Sequence, residues 1–339
     1  MAETLPYSWY TDRDVLARER ERLFEHSWVY AGHTGQLAEP GTYFTTRVGD
    51  VPLLVVRDRE DELCAFVNVC RHRGSEVMAG SGTCTILQCP YHAWTYGLDG
   101  ALRAAPRAEA DPDFDREPLA LLAAQVDTWG RLIFVNPDAG KPPLAETLGS
   151  LPEIVAQGGV DVQGLEFHSR SSYSLEANWK VAVENYLECY HCAVAHPGFS
   201  ELIDVAPDSY RLERHPTFAS HYAPLRDGSA EGQFHLIWPC TKVNIWPGHA
   251  NLSIGRVVPV ETGLTEGFLD YFFAPGVDAA WLAGLFELDC QVGAEDRELV
   301  ESVQRGIRSG ALQHGRLMLP SEDLIRDFQR WVAVGIGET

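Results

Sequence analysis

Basic residues are scarce in this 339-residue sequence: 27 lysines and arginines face 48 aspartates and glutamates, a formal net charge of -21. No Lys/Arg-rich run occurs, so the basic face that a phosphate backbone selects is missing and nucleic acid is excluded as a partner. Long hydrophobic runs are missing too. No window approaches the ~18 to 20 uninterrupted apolar residues needed to cross a bilayer. The start, MAETLPYSWYTDRDVLARERERLF, lacks the basic segment and apolar stretch of a secretory leader. These absences predict a soluble, cytoplasmic protein with no membrane partner. There is no internal repeat, low-complexity tract or heptad run. Eight cysteines in a long chain without a leader read as ligands or buried thiols rather than disulfides.

The length predicts about two domains. Residues 12 to 26 carry Val15, Leu16, Leu23 and Phe24 among charges, the pattern of a solvated helix leading into the fold. From Trp28 to about Asn136, short β-rich runs such as TYFTTRVG, VPLLVVRD and CAFVNVC alternate with Gly, Pro and Asp turn signals, which predicts a small antiparallel β domain. Lys141-Pro142-Pro143 reads as a connection. Beyond it, strands such as TKVNIWP and GFLDYFFAP mix with helices expected at about 178 to 195, 278 to 307 and 321 to 334, an α+β plan.

Two constellations carry chemistry. In the β domain, Cys70-Arg71-His72 is followed by Cys89-Pro90-Tyr91-His92, giving C-x-H-x16-C-x-x-H. A structural zinc accepts two cysteines and two histidines, but a one-residue Cys-to-His gap is unusual there. In a Rieske [2Fe-2S] centre two thiolates bind one iron and two imidazoles the other, so each short pair supplies one ligand to each iron. Gly74, Pro90 and Gly97 supply turns for such loops. Cys64 and Cys84 lie outside the pattern and read as small buried residues.

The second constellation lies in ENYLECYHCAVAHP, residues 184 to 197. On a continuous helix Glu184, Glu188 and His191 share one stripe, with Cys189 and Cys192 projecting elsewhere. His196 precedes Pro197, so the helix should end there and let His196 turn back toward whatever His191 faces. Downstream, Val292, Asp296, Val300, Val303 and Ile307 share a helical face, placing an acid mid-stripe, whereas Glu295, Glu298 and Glu301 read as solvated charges. A buried carboxylate must be paired or bind a metal. His191, His196 and Asp296 thus compose a two-histidine, one-carboxylate triad that leaves positions open on Fe(II) for O2.

These residues resemble the oxygenase component of Rieske non-haem iron oxygenases, from about Trp28 to near the C-terminus. The resemblance is carried by CRHRG at 70 to 74, CPYHAWTYGLDG at 89 to 100, WGRLIFVNP at 129 to 137, NWK at 178 to 180, ENYLECYHCAVAHP and AEDRELVESVQRG at 294 to 306. It implies an N-terminal helical segment (1 to 27) packing on the catalytic domain, a Rieske domain (28 to 140) and a helix-grip catalytic domain with mononuclear iron (141 to 339). It further implies a homo-oligomeric ring, usually a trimer, in which the cluster of one subunit serves the iron of its neighbour. Electrons come from a flavin or ferredoxin-type reductase, and NAD(P)H acts indirectly through it. Glu188 takes the place of the acid that bridges the first iron histidine, here His191, to a Rieske histidine, His92, of the adjacent subunit.

Most ring-hydroxylating members carry aspartate at that position. Glutamate, within ENYxECYHC, is more similar to the choline, glycine betaine and carnitine monooxygenases, and so implies a quaternary ammonium or N-methyl substrate. Hydroxylation at an N-methyl carbon gives a hemiaminal that collapses to amine and formaldehyde; at a choline carbinol carbon it gives an aldehyde hydrate. The rival substrate class is an aromatic or other neutral compound, hydroxylated or dihydroxylated. Quaternary ammonium groups are held over aromatic faces, and Tyr186, Phe234, Trp238 and Trp246 are the candidate cage. His235, His249 and His314 read as ordinary histidines, Glu184 as a structural or supporting acid, and Cys189 and Cys192 as packing residues around the ligands.

Overall fold

A computed structural model describes residues 2–338. The chain divides into two compact units, one spanning Phe24–Leu144 and the other combining Met1–Leu23 with Ala145–Thr339.

In the Phe24–Leu144 unit, seven antiparallel strands lie in the order Val29–His33, Leu132–Asn136, Ala123–Trp129, Leu63–Val67, Val51–Arg57, Thr42–Val48 and Ser81–Thr83. A second, three-stranded sheet of Leu87–Gln88, Thr95–Tyr96 and Leu102–Ala104 carries the second Cys/His pair at its first turn. Leu54, Val56, Leu87, Tyr96 and Leu102 pack with Cys70 and Cys89 in one core, and Cys64 and Cys84 are half-buried at its edge.

The other unit is built on a seven-stranded antiparallel sheet ordered Glu166–Leu175, Leu264–Phe273, Asn251–Glu261, Thr241–Ile245, Glu231–Ile237, Phe218–Pro224 and Arg211–Arg214. Apart from the first strand this is a meander, so the face toward the helices can be read by alternation. Lys242, Asn244 and Trp246 share that face with Phe234 and Tyr271. The long helix Ala279–Arg308 starts where the Asp278 carboxylate accepts from the backbone N–H of Ala280 and Trp281. Asp323–Gly335 is the last helix.

The NWK triplet anchors the N-terminal segment. Asn178 caps the helix Trp179–Tyr186 by accepting from the Lys180 N–H at 3.0 Å, while its amide nitrogen donates to the Tyr10 and Thr262 carbonyls. Glu19, on the helix Arg13–Arg22, accepts from Trp179 Nε1 at 2.8 Å and pairs with Lys180 Nζ at 2.6 Å, both side chains being fully buried. A charge pair without solvent holds only when both partners and their remaining hydrogen bonds are present; here the Trp9 carbonyl accepts from Lys180 as well.

Three expectations about helices need correction. The helix expected over 178 to 195 ends at Tyr186 and is followed by a turn, then the short helices Cys192–Ala195 and Pro197–Leu202. The cause is Glu188, whose Oε2 accepts the backbone N–H groups of Tyr190 and, at 3.2 Å, His191, which diverts them from the helical ladder. Glu184 therefore does not share a stripe with Glu188 and His191: it accepts from Tyr10 Oη at 2.6 Å and Gln329 Nε2 at 3.0 Å, and burial lifts its pKa to about 7. On the long helix the inner face carries Val300, Gln304 and Ile307, while Val303 is half exposed. Gln304 is drawn inward because its carbonyl accepts from the Asn178 N–H at 2.8 Å.

Replacing one partner of the buried pair should leave an uncompensated charge. Glu19→Gln is expected to destabilise the protein by about 3–5 kcal/mol, seen as a lower midpoint in thermal or denaturant unfolding. An unchanged midpoint contradicts the anchoring role.

Candidate metal centres and substrate cavity

The two Cys/His loops of the Phe24–Leu144 unit share one backbone plan in spite of their different spacings. The Cys70 N–H donates to the Ser75 carbonyl and the Gly74 N–H to the Cys70 carbonyl; the Cys89 N–H donates to Trp94 and the Ala93 N–H to Cys89. The fourth residue after each cysteine is left-handed, Gly74 at φ +76° and Ala93 at φ +57°. Glycine takes this conformation freely, whereas alanine takes it at a cost. Both thiols are buried, and Cys70 Sγ lies 3.3 Å from the Tyr96 hydroxyl, which also accepts from the Arg71 N–H. His72 and His92 are exposed, their ring centroids 4.7 Å apart, and His72 stacks flat on Trp94 at 5.0 Å. The four side chains thus sort into a buried thiol pair and an exposed imidazole pair, the division a Rieske cluster requires.

In the other unit, His191 Nε2 lies 3.1 Å from His196 Nε2, and His196 Nε2 lies 3.1 Å from Asp296 Oδ1, with 3.5 Å from His191 Nε2 to the same oxygen. Ligand atoms about 2.1 Å from one ion at right angles are separated by about 3 Å, so the trio fits a single metal. Both imidazoles are oriented from behind. Glu188 Oε1 contacts His191 Nδ1, and Glu295 Oε2 lies 2.7 Å from His196 Nδ1. With the proton on each Nδ1 donated to its carboxylate, both Nε2 lone pairs face the common point. Asn185 Nδ2 donates to Asp296 Oδ1 at 3.0 Å and fixes the third donor.

The electrostatics of the cluster favour a cation. Burial opposes a positive His191, yet hydrogen bonds to Asp296 and Glu188 outweigh it and raise its pKa to about 9. For Asp296 burial also opposes charge, and hydrogen bonds from His191, His196 and Asn185 overcome it, holding the carboxylate ionised far below its ordinary range.

Beside the trio opens a cavity of about 360 Å³, of the size that holds a small molecule. Its walls include Tyr186, Phe199, Tyr210, Phe234, Trp246 and Tyr271, with Lys242 and Asp289 among them. Asp289 accepts from Tyr271 Oη at 2.5 Å, and burial raises its pKa.

The comparisons follow this geometry. Residues 27–126 match the Rieske [2Fe-2S] domain, and residues 162–234 and 210–338 match the catalytic domain of the ring hydroxylating alpha subunit. The carnitine monooxygenase oxygenase subunit of Acinetobacter pittii is 34% identical over 353 residues, covering 98% of this chain and 95% of the relative. Chloroplastic choline monooxygenase of Beta vulgaris is 33% identical over 344 residues, covering 98% and 76%. The crystal structure of the quaternary ammonium Rieske monooxygenase CntA in complex with L-carnitine aligns with a TM-score of 0.87 at 34% identity, covering 98% of this chain and 95% of that one. The chain belongs to the Rieske oxygenase alpha-subunit family. It is an oxidoreductase with a Rieske [2Fe-2S] domain and an oxygenase catalytic domain.

Within this oxygenase several expectations change. Trp238 does not line the cavity; in the turn after its strand it packs edge-on against Phe328 and Trp331 on the last helix. Tyr186, Phe234 and Trp246 do line it. Glu295 is not a solvated charge but the partner of His196, and Glu301 accepts from the Glu176 N–H at 3.1 Å. Cys189 and Cys192 are buried among Phe199, Ile203 and Trp246, but joined as a disulfide, since the turn after Tyr186 brings their Cα atoms to 5.0 Å. His235 is buried against Ser220, His249 packs on Trp281, and His314 is exposed. Asn185, Lys242 and Asp289 were missed; counting by twos from Trp246 along TKVNIW would have placed Lys242 on the cavity wall.

Asp296→Ala is expected to lose the mononuclear ferrous ion while keeping the visible spectrum of the cluster, checked by iron analysis and absorption. Full retention of the extra iron contradicts the role of the trio. No helix among the described residues is long and apolar enough to cross a membrane.

Proposed function

We propose that this oxygenase hydroxylates a C–H bond of a small quaternary ammonium or N-methyl compound, using O2 and two electrons from a flavin or ferredoxin-type reductase that draws on NAD(P)H. One oxygen atom enters the substrate and the other leaves as water with two protons. The observation that carries the reading is the meeting of His191, His196 and Asp296 beside an aromatic-walled cavity, in a chain that also holds the Cys70, His72, Cys89 and His92 set. The named relatives that support the substrate class are carnitine and choline monooxygenases.

Cys70, Cys89, His72 and His92 would hold the cluster, and His191, His196 and Asp296 would hold the mononuclear iron. When bound, these metals store the electrons and reduce O2. The protein residues position and insulate. Glu188 and Glu295 keep the two imidazoles in the tautomer that presents Nε2. Phe199, Phe234 and Trp246 exclude water from the reacting end of the cavity and offer aromatic faces to a cation that cannot donate hydrogen bonds. The Tyr186 hydroxyl is spent on Asn244 Oδ1 at 2.7 Å, and a face of its ring lies against the Lys242 ammonium.

Glu188 is the relay acid, joining His191 to the exposed His92 of a neighbouring subunit in a cytoplasmic ring, most simply a trimer. Its second oxygen already accepts the backbone N–H groups of Tyr190 and His191, which fixes the longer glutamate side chain in place.

Two outcomes are expected. Quaternary amines stimulate O2 uptake matched by product, whether formaldehyde or an aldehyde, and aromatic acids do not; stimulation by aromatic acids alone overturns the substrate class. Glu188→Gln keeps both metals and loses at least about a hundredfold in turnover; full coupled activity in that variant removes the relay assignment.

A further inference from the structure

Lys242 places an ammonium on the cavity wall. It lies on the strand Thr241–Ile245, facing inward with Asn244 and Trp246. Its ammonium sits 4.6 Å from the centre of the Tyr186 ring, and no hydrogen bond or ion pair to it occurs among the described residues. Burial lowers its pKa to about 8, with Asp296 and Asp289 pulling the other way, so it stays mostly protonated at neutral pH. Desolvating an ammonium without an anion is costly, and a fold keeps such a group where a ligand supplies the anion.

Asp289 and Asp296 act on Lys242 through space, but neither makes a hydrogen bond or ion pair with it among the described residues. Asp289 is committed to the Tyr271 hydroxyl, and Asp296 to the histidines and Asn185. The Tyr186 face that would otherwise receive a substrate cation is already covered by Lys242. A purely cationic ligand such as choline meets repulsion on that wall, whereas a ligand with an anionic end finds there a positive side chain with no hydrogen-bond or ion-pair partner among the described residues; the other cation on the lining, Arg297, is exposed.

Resting on the quaternary ammonium reading, we infer that Lys242 is a specificity-determining residue that binds the carboxylate of a zwitterionic substrate, so that the preferred substrates are betaines bearing both a quaternary ammonium and a carboxylate. The ammonium end then lies against the remaining aromatic walls, and Lys242 fixes which end of the molecule faces away from it.

The test compares γ-butyrobetaine, its methyl ester and choline on the reconstituted holoenzyme with its reductase, and measures anaerobic binding by calorimetry. The wild type should favour γ-butyrobetaine over its ester by about tenfold or more in kcat/KM. Lys242→Met should weaken γ-butyrobetaine binding and raise its KM by about ten- to a hundredfold, leave the ester within about threefold, and keep iron content and cluster spectrum. Lys242→Arg should restore the preference for the acid. Equal use of acid and ester by the wild type overturns the inference and leaves the quaternary ammonium reading standing, as does an equal loss on both in Lys242→Met. Should Lys242→Met fail to fold, the acid-against-ester comparison on the wild type decides. Failure of all three compounds to bind or stimulate O2 uptake overturns the broader reading and this inference with it.

Discussion

Two imidazoles can face one metal position only if something holds both from behind, and in this protein that constraint is met by carboxylates. Glu188 and Glu295 take the Nδ1 atoms of His191 and His196, so the Nε2 atoms meet Asp296 at separations of 3.1 to 3.5 Å. Much of the local architecture follows. Glu188 reaches His191 only by leaving the helix, and the same side chain ends it by taking two backbone N–H groups. Glu295 and Asp296 are adjacent on one helix and serve opposite edges of the same imidazole. The acids that tune the site are therefore also its scaffold.

The surrounding fold keeps this arrangement still. The buried Lys180–Glu19 pair ties the helix that precedes the ligands to the N-terminal segment, and Asn178 joins that helix to Gln304 on the helix carrying Asp296. The helix Trp179–Tyr186 and the long helix are thus joined at both ends of the former, by Asn178 to Gln304 and by Asn185 to Asp296. The cavity beside them is polarised rather than uniformly aromatic, with Lys242 on the sheet and Asp289 on the long helix. Aromatic faces account for part of its walls; Asp289 is taken by the Tyr271 hydroxyl, and Lys242 remains on the lining without a hydrogen bond among the described residues.

What was legible in the sequence follows the range of the interactions involved. The Cys70 to His92 spacing could be read because each ligand pair is local, and the α+β plan because strand alternation and the long amphipathic helix are local too. His191 and His196 lie five residues apart at the two ends of the short helix Cys192–Ala195, and Pro197 marks the break after it. Asp296 needed only helical periodicity. The failures share a different cause, side chains that act on distant or non-periodic backbone. The break after Tyr186 depends on a glutamate competing with the helix, and Glu295 was set aside because a helical wheel shows its angle but not the histidine approaching from another segment. Trp238 and Trp246 each directly follow a strand, yet one packs on the last helix and the other lines the cavity, a difference set by the chain beyond each strand.

The most direct measurement is the metal content of the purified protein, combined with the electron paramagnetic resonance of its reduced form. The account predicts a histidine-ligated [2Fe-2S] signal and one ferrous ion per chain beyond the two cluster irons. A colourless protein with zinc at both positions, or cluster iron with no additional ferrous ion after anaerobic reconstitution, would contradict it.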